Sequence, residues 1–280
     1  MRELSGRVGV VTGAASGIGR GIAERLANEG VKLVLADVDE TALNTTVAEL
    51  TAAGAEAIGV VTDVSSRTSI ENLAAVTMDT FGAVHVLCNN AGVETGGAFD
   101  DIPEQSWRWV IDVNLFGVVF GCQVFLPLLR AQDEVHIVNT ASVAAFESSV
   151  PTMAPYTASK FAVLGATESL SYELRARGDR VGISILAPGA VRTRMADAER
   201  TRPADVPGTL DDSARKAAIG AMSHLMETNG MEANEVGGMV VEAIREDRFF
   251  ILTHPQVAFD AADKRREWMR AGTVPGAFLP

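Results

Sequence analysis

Short apolar runs recur along this chain at intervals that leave room for one helix between each pair, and this alternation restricts the fold more than any other feature. Runs of strand type lie near 8–12, 31–36, 56–61, 84–88, 134–140, 181–186 and 249–252. Helical patterns fill most of the gaps, notably 17–29, 40–53, 66–81, 104–130, 155–177 and 234–246. Strands covered on both faces read as unbroken apolar runs, and a strand–helix–strand series builds a parallel sheet with helices on both sides. The expected architecture is therefore one doubly wound α/β domain over 1–280, with a central, mostly parallel seven-stranded sheet. Hydrophobic residues make up 47% of the 280, ample for a single large core. Ligands of such sheets bind beyond the C-terminal ends of the strands. Here that edge carries Gly13, Asp37, Asp63, Asn90, Ser142 and Pro188.

The first run, Arg7 to Val11, leads directly into Thr12-Gly13-Ala14-Ala15-Ser16-Gly17-Ile18-Gly19 and then an amphipathic stretch from Arg20 to Asn28. Glycines let a backbone approach a pyrophosphate, and a helix N-terminus offers it oriented N–H groups. The spacing Gly-x-x-x-Gly-x-Gly differs from the usual dinucleotide fingerprint, and alone it fits an ordinary strand-to-helix turn equally well. The next strand ends at Asp37, roughly 20 positions on, where a carboxylate accepts hydrogen bonds from an adenosine ribose and repels a 2′-phosphate. No arginine or lysine stands at Ala15, Ser16 or Val38 to neutralise such a phosphate. The reading is NAD rather than NADP. Arg20, the nearest cation, is expected to face solvent.

Further along, Tyr156-Thr157-Ala158-Ser159-Lys160 lies on a small-residue helix from Ala154 to Ala176. Positions i and i+4 share a helix face, so Lys160 lies on the side that carries the Tyr156 phenol. A free phenol titrates near ~10, and a fixed ammonium beside it favours the phenolate. That would turn an inert side chain into a proton donor and acceptor. Taken alone, the spacing also suits a solvated helix face.

Together these features resemble the classical short-chain dehydrogenase/reductases, and the match runs over nearly the whole chain. It extends to Asp63-Val64, Asn89-Asn90-Ala91-Gly92, Asn114, Ser142, Pro188-Gly189 and Thr193, in the family's order and near its spacings. The interval between Ser142 and Tyr156 is slightly longer than is commonest. The resemblance implies a Rossmann-like domain that interconverts an alcohol and a ketone with NAD. It implies Tyr156 as general acid/base, Ser142 as hydrogen-bond partner of the substrate oxygen, and Lys160 as the cation that lowers the phenol pKa and contacts the nicotinamide ribose. It implies that Asn114 holds a water through which protons leave Lys160. Gly13, Ser16, Gly17, Ile18, Gly19, Asp37 and Val38 would hold the cofactor, with Asp63 on the adenine amino group and Val64 beside it. Asn90, Ala91 and Gly92 would line the adenosine side, and Pro188, Gly189, Val191 and Thr193 the nicotinamide side. Family members are commonly homotetramers or dimers, built through the 155–177 helix and the final strand and helix.

By family position, residues 194–230 form a substrate-binding lid, interrupted by Pro203, Pro207 and Gly208 and then helical from Ala214 to Met226. Met195, Met222, Met226 and Met231 either face an adaptable pocket or simply pack the lid helix. Two walls follow Gly92 and Ser142, namely Val93 to Phe99 and Val143 to Met153, made mostly apolar by Phe99, Ala144, Phe146 and Met153. Glu94 and Glu147 either bind a substrate hydroxyl or stand as solvated rim carboxylates, and the second reading is preferred. Neither wall holds a basic residue, so an acidic substrate group would fall to Arg192, Arg194 or the lid. The expected substrate is a small, neutral, hydrophobic alcohol or ketone. The C-terminal extension 253–280, with Lys264 to Met269 as a short helix, covers either a subunit interface or its own pocket.

The formal charge of −12 argues against nucleic-acid and anionic-membrane partners. No apolar run looks close to the ~20 residues of a membrane span, and no signal peptide is evident, so a cytoplasmic location is expected. Cys88 and Cys122 read as buried thiols in a reducing compartment, and His85, His136, His224 and His254 lack metal-ligand spacing. Two alternatives stay open. An NADPH ketoreductase is opposed only by the charge of Asp37. A catalytically silent dinucleotide sensor is opposed by the joint presence of Asn114, Ser142, Tyr156 and Lys160.

Overall fold

The computed structural model describes residues 1, 3–147, 151–209 and 212–273. Its strands are β1 (Val8–Thr12), β2 (Lys32–Asp37), β3 (Ala57–Val61), β4 (Val86–Asn89), β5 (Val135–Thr140), β6 (Val181–Ala187) and β7 (Phe250–Leu252). They form one sheet in the order β3-β2-β1-β4-β5-β6-β7. Every neighbouring pair is parallel, so the sheet is wholly rather than mostly so. All residues of β1, β4 and β5 are buried, which is why they read as unbroken apolar runs, whereas edge strand β3 is half open.

Successive side chains of a strand point to opposite faces. Val11, Leu33 and Leu35 therefore join Ile22 and Leu26 of α1 (Gly17–Asn28) and Val236, Val240 and Ile244 of α8 (Ala233–Glu246). Leu43 and Leu50 of α2 (Glu40–Ala52) extend that layer. Val10 and Val34 point the other way, onto Ile70 and Leu73 of α3 (Arg67–Phe81), Phe125 and Leu129 of α5 (Gly117–Arg130), and Val163 of α6 (Ala154–Arg177). Each such side chain stabilises the fold by about 1.5–3 kcal/mol on burial.

The chain winds outward from β1 in both directions, so β1 and β4 flank the point where strand order reverses. Their C-terminal ends leave a crevice between them, the place where such sheets take ligands.

Two helical expectations are refined. The stretch 104–130 is α4 (Glu104–Ile111) and α5 joined by a π-turn over Asp112–Phe116. The wider turn inserts one residue into the helix, a device often found at functional sites. By length and composition Glu104–Arg130 is apolar enough to cross a bilayer, contrary to the expectation that no such run exists. It packs instead as a core helix, with Val118, Phe125 and Leu129 buried against the sheet. The C-terminal helix is also longer than expected: α9 spans Pro255–Ala271. It lies on its own chain's wall, where Arg265 Nε donates to the Phe146 carbonyl (3.0 Å) and Lys264 faces Glu147 (3.6 Å). Residues 148–150 of that wall, 210–211 of the lid and 274–280 of the extension lie outside the described residues.

Candidate active site

A cleft at the C-terminal edge of the sheet brings together Gly13, Ser16, Gly17, Ile18, Asp37, Val38, Asp63, Val64, Asn90, Ala91, Gly92, Pro188, Gly189, Val191 and Thr193. Gly19 does not line it; its hydrogen is what lets α1 sit down on the turn. A Cβ there would lie 2.1 Å from the Gly13 carbonyl oxygen and 2.5 Å from Asn90 Nδ2. Gly13 has φ +66°, and a Cβ on it would fall 2.8 Å from Ala91 Cα. Thr12 fixes this approach. Its hydroxyl accepts from the N–H groups of Asn90 (2.9 Å) and Ala91 (3.1 Å), and its carbonyl accepts from Asn90 Nδ2 (3.0 Å). Sequence reasoning gave Thr12 no role, although a polar residue closing an otherwise apolar strand was a signal for one.

The rim suits a dinucleotide. Ser16, at the N-cap of α1, is extended and makes no side-chain cap, and the first turn carries no acidic residue. The opening N–H groups of α1 are thus free to meet an anion. Asp37 is anchored beside them, its Oδ2 accepting from Ala15 N (3.0 Å) and its Oδ1 from Asp39 N (3.1 Å). Asp63 Oδ1 accepts from both the N–H (2.9 Å) and the hydroxyl (2.6 Å) of Ser65, a further cleft residue.

Ser142, Tyr156 and Lys160 line the same cleft. Ser142 ends β5's loop and caps a 3-10 turn over Val143–Ala145, its Oγ accepting from Ala144 N (3.1 Å). Lys160 follows Tyr156 by one helical turn, with its Nζ 5.5 Å from the ring centroid and donating to the Thr140 carbonyl (3.0 Å). Burial pushes the Tyr156 phenol up to about 12; a Ser142 hydrogen bond opposes the shift and the Glu94 carboxylate adds to it. Burial likewise pushes Lys160 down to about 8. The sequence expectation that Lys160 pulls the phenol toward neutrality is therefore not what the protein groups produce by themselves. Desolvation is the largest cause of the rise, and the Lys160 ammonium is held by the Thr140 carbonyl rather than by the phenol oxygen.

Asn114 sits in the π-turn, fully buried. Its Oδ1 accepts from Val93 N (2.8 Å), and its Nδ2 donates to Val93 O (2.9 Å) and Ser159 Oγ (3.0 Å). The side chain is a clamp between the wall and α6, with each of its groups already engaged.

The substrate side departs further from expectation. Met195 lines the cleft, but Glu94, Ala144, Phe146 and Met153 are not among its lining residues. Glu94 is no rim carboxylate: it is buried against Arg215 of α7 (Ser213–Asn229). Phe146 turns to Phe250, ring centroids 6.5 Å apart, and Met153 is buried at the N-cap of α6. Phe99 is 73% exposed and meets Trp107 edge-on. The apolar lining comes instead from Val93, Trp109, Val113, Ala198 and Met226, joined by Arg194 and Arg200. Trp109 and Val113 sit on the segment that carries Asn114, a link that helical spacing alone could have suggested. No group of residues able to hold a metal occurs among the described residues.

Comparison with known proteins places these observations. A family model described as short chain dehydrogenase matches residues 7–204. A crystal structure of a short chain dehydrogenase/reductase from Burkholderia phymatum in complex with NAD is 44% identical, covers 100% of both chains and superposes with a TM-score of 0.96. A 1-deoxy-11-beta-hydroxypentalenate dehydrogenase from Streptomyces exfoliatus is 36% identical over 98% of this chain and 92% of its own. A CLA biosynthesis dehydrogenase/reductase from Lactiplantibacillus plantarum is 33% identical over 91% of each chain.

Proposed function

The chain belongs to the classical short-chain dehydrogenase/reductases, and from that premise we propose that it is an NAD-dependent oxidoreductase interconverting a hydrophobic secondary alcohol and its ketone. One observation carries the reading: Ser142, Tyr156 and Lys160 share a single cleft with an uncapped helix start and the Asp37 carboxylate. The NAD complex of the Burkholderia relative and the dehydrogenase name of the Streptomyces relative support it.

NAD+, when bound, would supply the hydride acceptor and a positive charge. The α1 N-terminus would hold the pyrophosphate, and Asp37 would accept from the adenosine ribose. Ser142 and Tyr156 hold the substrate oxygen. In the oxidative direction Tyr156 takes the hydroxyl proton, and in the reductive direction it returns one. Lys160 keeps a positive charge close to the phenol and steadies the phenolate. Val93, Trp109, Val113, Met195 and Met226 exclude water from the reacting carbon and favour an apolar substrate.

A second reading, NADP(H) as cofactor, draws support from Arg200. Its Nη2 lies 3.5 Å from Ser16 Oγ, a cation at the glycine turn contributed by a distant segment rather than by positions 15, 16 or 38. Affinities for NADH and NADPH on the purified protein decide between the two. NADH binding should be at least about tenfold tighter, a difference of ~1.4 kcal/mol. A panel of hydrophobic secondary alcohols then tests turnover through reduced-nicotinamide absorbance. Tyr156→Phe should lower kcat by about 10²–10⁴-fold while leaving NADH affinity nearly unchanged. Equal loss of both would remove Tyr156 from the chemistry.

A further inference from the structure

Glu94 and Arg215 are each 1% exposed, and they join the lid helix to the active-site wall. They meet through one nitrogen and one oxygen. Glu94 Oε1 and Arg215 Nε and Nη1 have no hydrogen-bond partner among the described residues. Each is the other's main compensation. The charged groups around Glu94 are Arg215 and, from the lid's 3-10 turn (Met195–Thr201), Glu199, whose like charge opposes ionisation. Those around Tyr156 are Lys160 on its own helix and Glu94.

We propose that the Glu94–Arg215 pair is a positioning element of the active site, bolting the lid helix to the wall and keeping a bare carboxylate from acting on the Tyr156 phenol. The wall is continuous with the catalytic helix. Next to Glu94, both backbone groups of Val93 are held by Asn114, which donates to Ser159, and Ser159 Oγ donates to the Tyr156 carbonyl (2.6 Å). On the other side, Thr95 donates to Glu199 (3.0 Å), which also accepts from the Thr209 hydroxyl (2.7 Å). Consecutive wall residues thus hold the catalytic helix, the lid helix and the lid turn. A buried ion pair is weak evidence for stability, but removing one partner strands a charge. Stranded Glu94 would take up a proton at low pH, because burial raises its pKa, and would ionise as pH rises. Its charge then opposes the phenolate that oxidation requires.

The pair's effect on turnover rests on the hydride-transfer reading; its effect on the lid does not. Arg215→Met should raise amide hydrogen exchange across 213–229 by roughly tenfold or more, with NADH affinity changed by less than about threefold. Its kcat/KM should fall at every pH, and fall further on the alkaline side. The neutral pair Glu94→Gln/Arg215→Met should lose that additional alkaline defect, and Arg215→Lys should recover most of the lid protection. Unchanged exchange in Arg215→Met, or identical pH profiles for the single and double variants, overturns the proposal. The exchange measurement needs no substrate. Lid loosening as expected, together with full activity in Tyr156→Phe, would count against the catalytic reading and leave the lid bolt standing.

Discussion

The glycine turn faces residues 194–203 and α7, which we propose as a lid, across one cleft, but different contacts build the two sides. The turn is made largely by main chain, Gly13 against Ala91 and Gly19 against the Gly13 carbonyl, with the short Thr12 hydroxyl gathering the N–H groups of Asn90 and Ala91. Its side chains are small, and their positions follow from where two adjacent parallel strands end. The lid is made by side chains that come from distant parts of the sequence, such as Glu94 with Arg215 and Thr95 with Glu199. A ligand held by backbone can be anticipated from short spacing. A pocket closed by side chains from three segments depends on how those segments pack.

The sharpest break in this contrast is Gly19→Ala. The added Cβ meets the Gly13 carbonyl oxygen at 2.1 Å and Asn90 Nδ2 at 2.5 Å, and the Gly13 backbone cannot yield cheaply. Overpacking of this kind costs up to about 3 kcal/mol, on the order of 100-fold in NADH affinity. Calorimetric titration with NADH checks it. Near-normal affinity would mean that the turn tolerates side chains and is less strictly built than its geometry indicates. Next in size is Asp37→Ser. Loss of the carboxylate should reduce the preference for NADH over NADPH by about 10- to 100-fold, and Arg200 would then be free to favour a 2′-phosphate. An unaltered preference would show that Asp37 serves only the Ala15 and Asp39 amides.

The same contrast explains what was legible in the chain. All seven strands were readable because each is a compact apolar run, and the residues that gather in the cleft were readable because they follow the C-terminal ends of those strands. The π-turn at Asp112–Phe116 was not, because one extra residue leaves no mark on a helical hydrophobic pattern. Glu94 looked like a rim carboxylate because its partner lies far along the sequence, on a helix whose packing no local spacing dictates. Phe99 and Phe146 looked like pocket walls by position, but Phe99 rests on Trp107 at the surface and Phe146 on Phe250.

Lys160 sharpens the comparison in energetic terms, since it is a buried charge with only the Thr140 carbonyl as a hydrogen-bond partner among the described residues. Its pKa drops from 10.5 to about 8 on burial. The cost of burying the ammonium is therefore fully present below pH 8 and gone above pH 10.5, where both folded and unfolded chains are neutral. Lys160→Met should then be more stable than the parent at neutral pH by about 2 kcal/mol, after allowing for the lost hydrogen bond. The advantage should shrink as pH rises through that window. Urea unfolding at neutral and alkaline pH measures it, and a variant less stable at neutral pH would show that the lysine is compensated in the folded state.

The smallest effects test the substrate side directly, through one residue of the expected lid and one of the expected wall after Gly92. Met195 lines the cleft, whereas Phe99 lies outside it and is mostly exposed. Met195→Ala should raise KM for a hydrophobic alcohol by about three- to tenfold, the worth of one or two lost methylene contacts, with little change in NADH affinity. Phe99→Ala should leave KM within about twofold and stability within ~0.5 kcal/mol, as expected for an exposed ring with one aromatic neighbour. The informative quantity is the ratio of the two KM effects, because any general loosening of the lid would enter both. A ratio near one would place Phe99 against the substrate when the lid closes, and the wall after Gly92 would then reach farther toward the reacting carbon than its resting packing indicates.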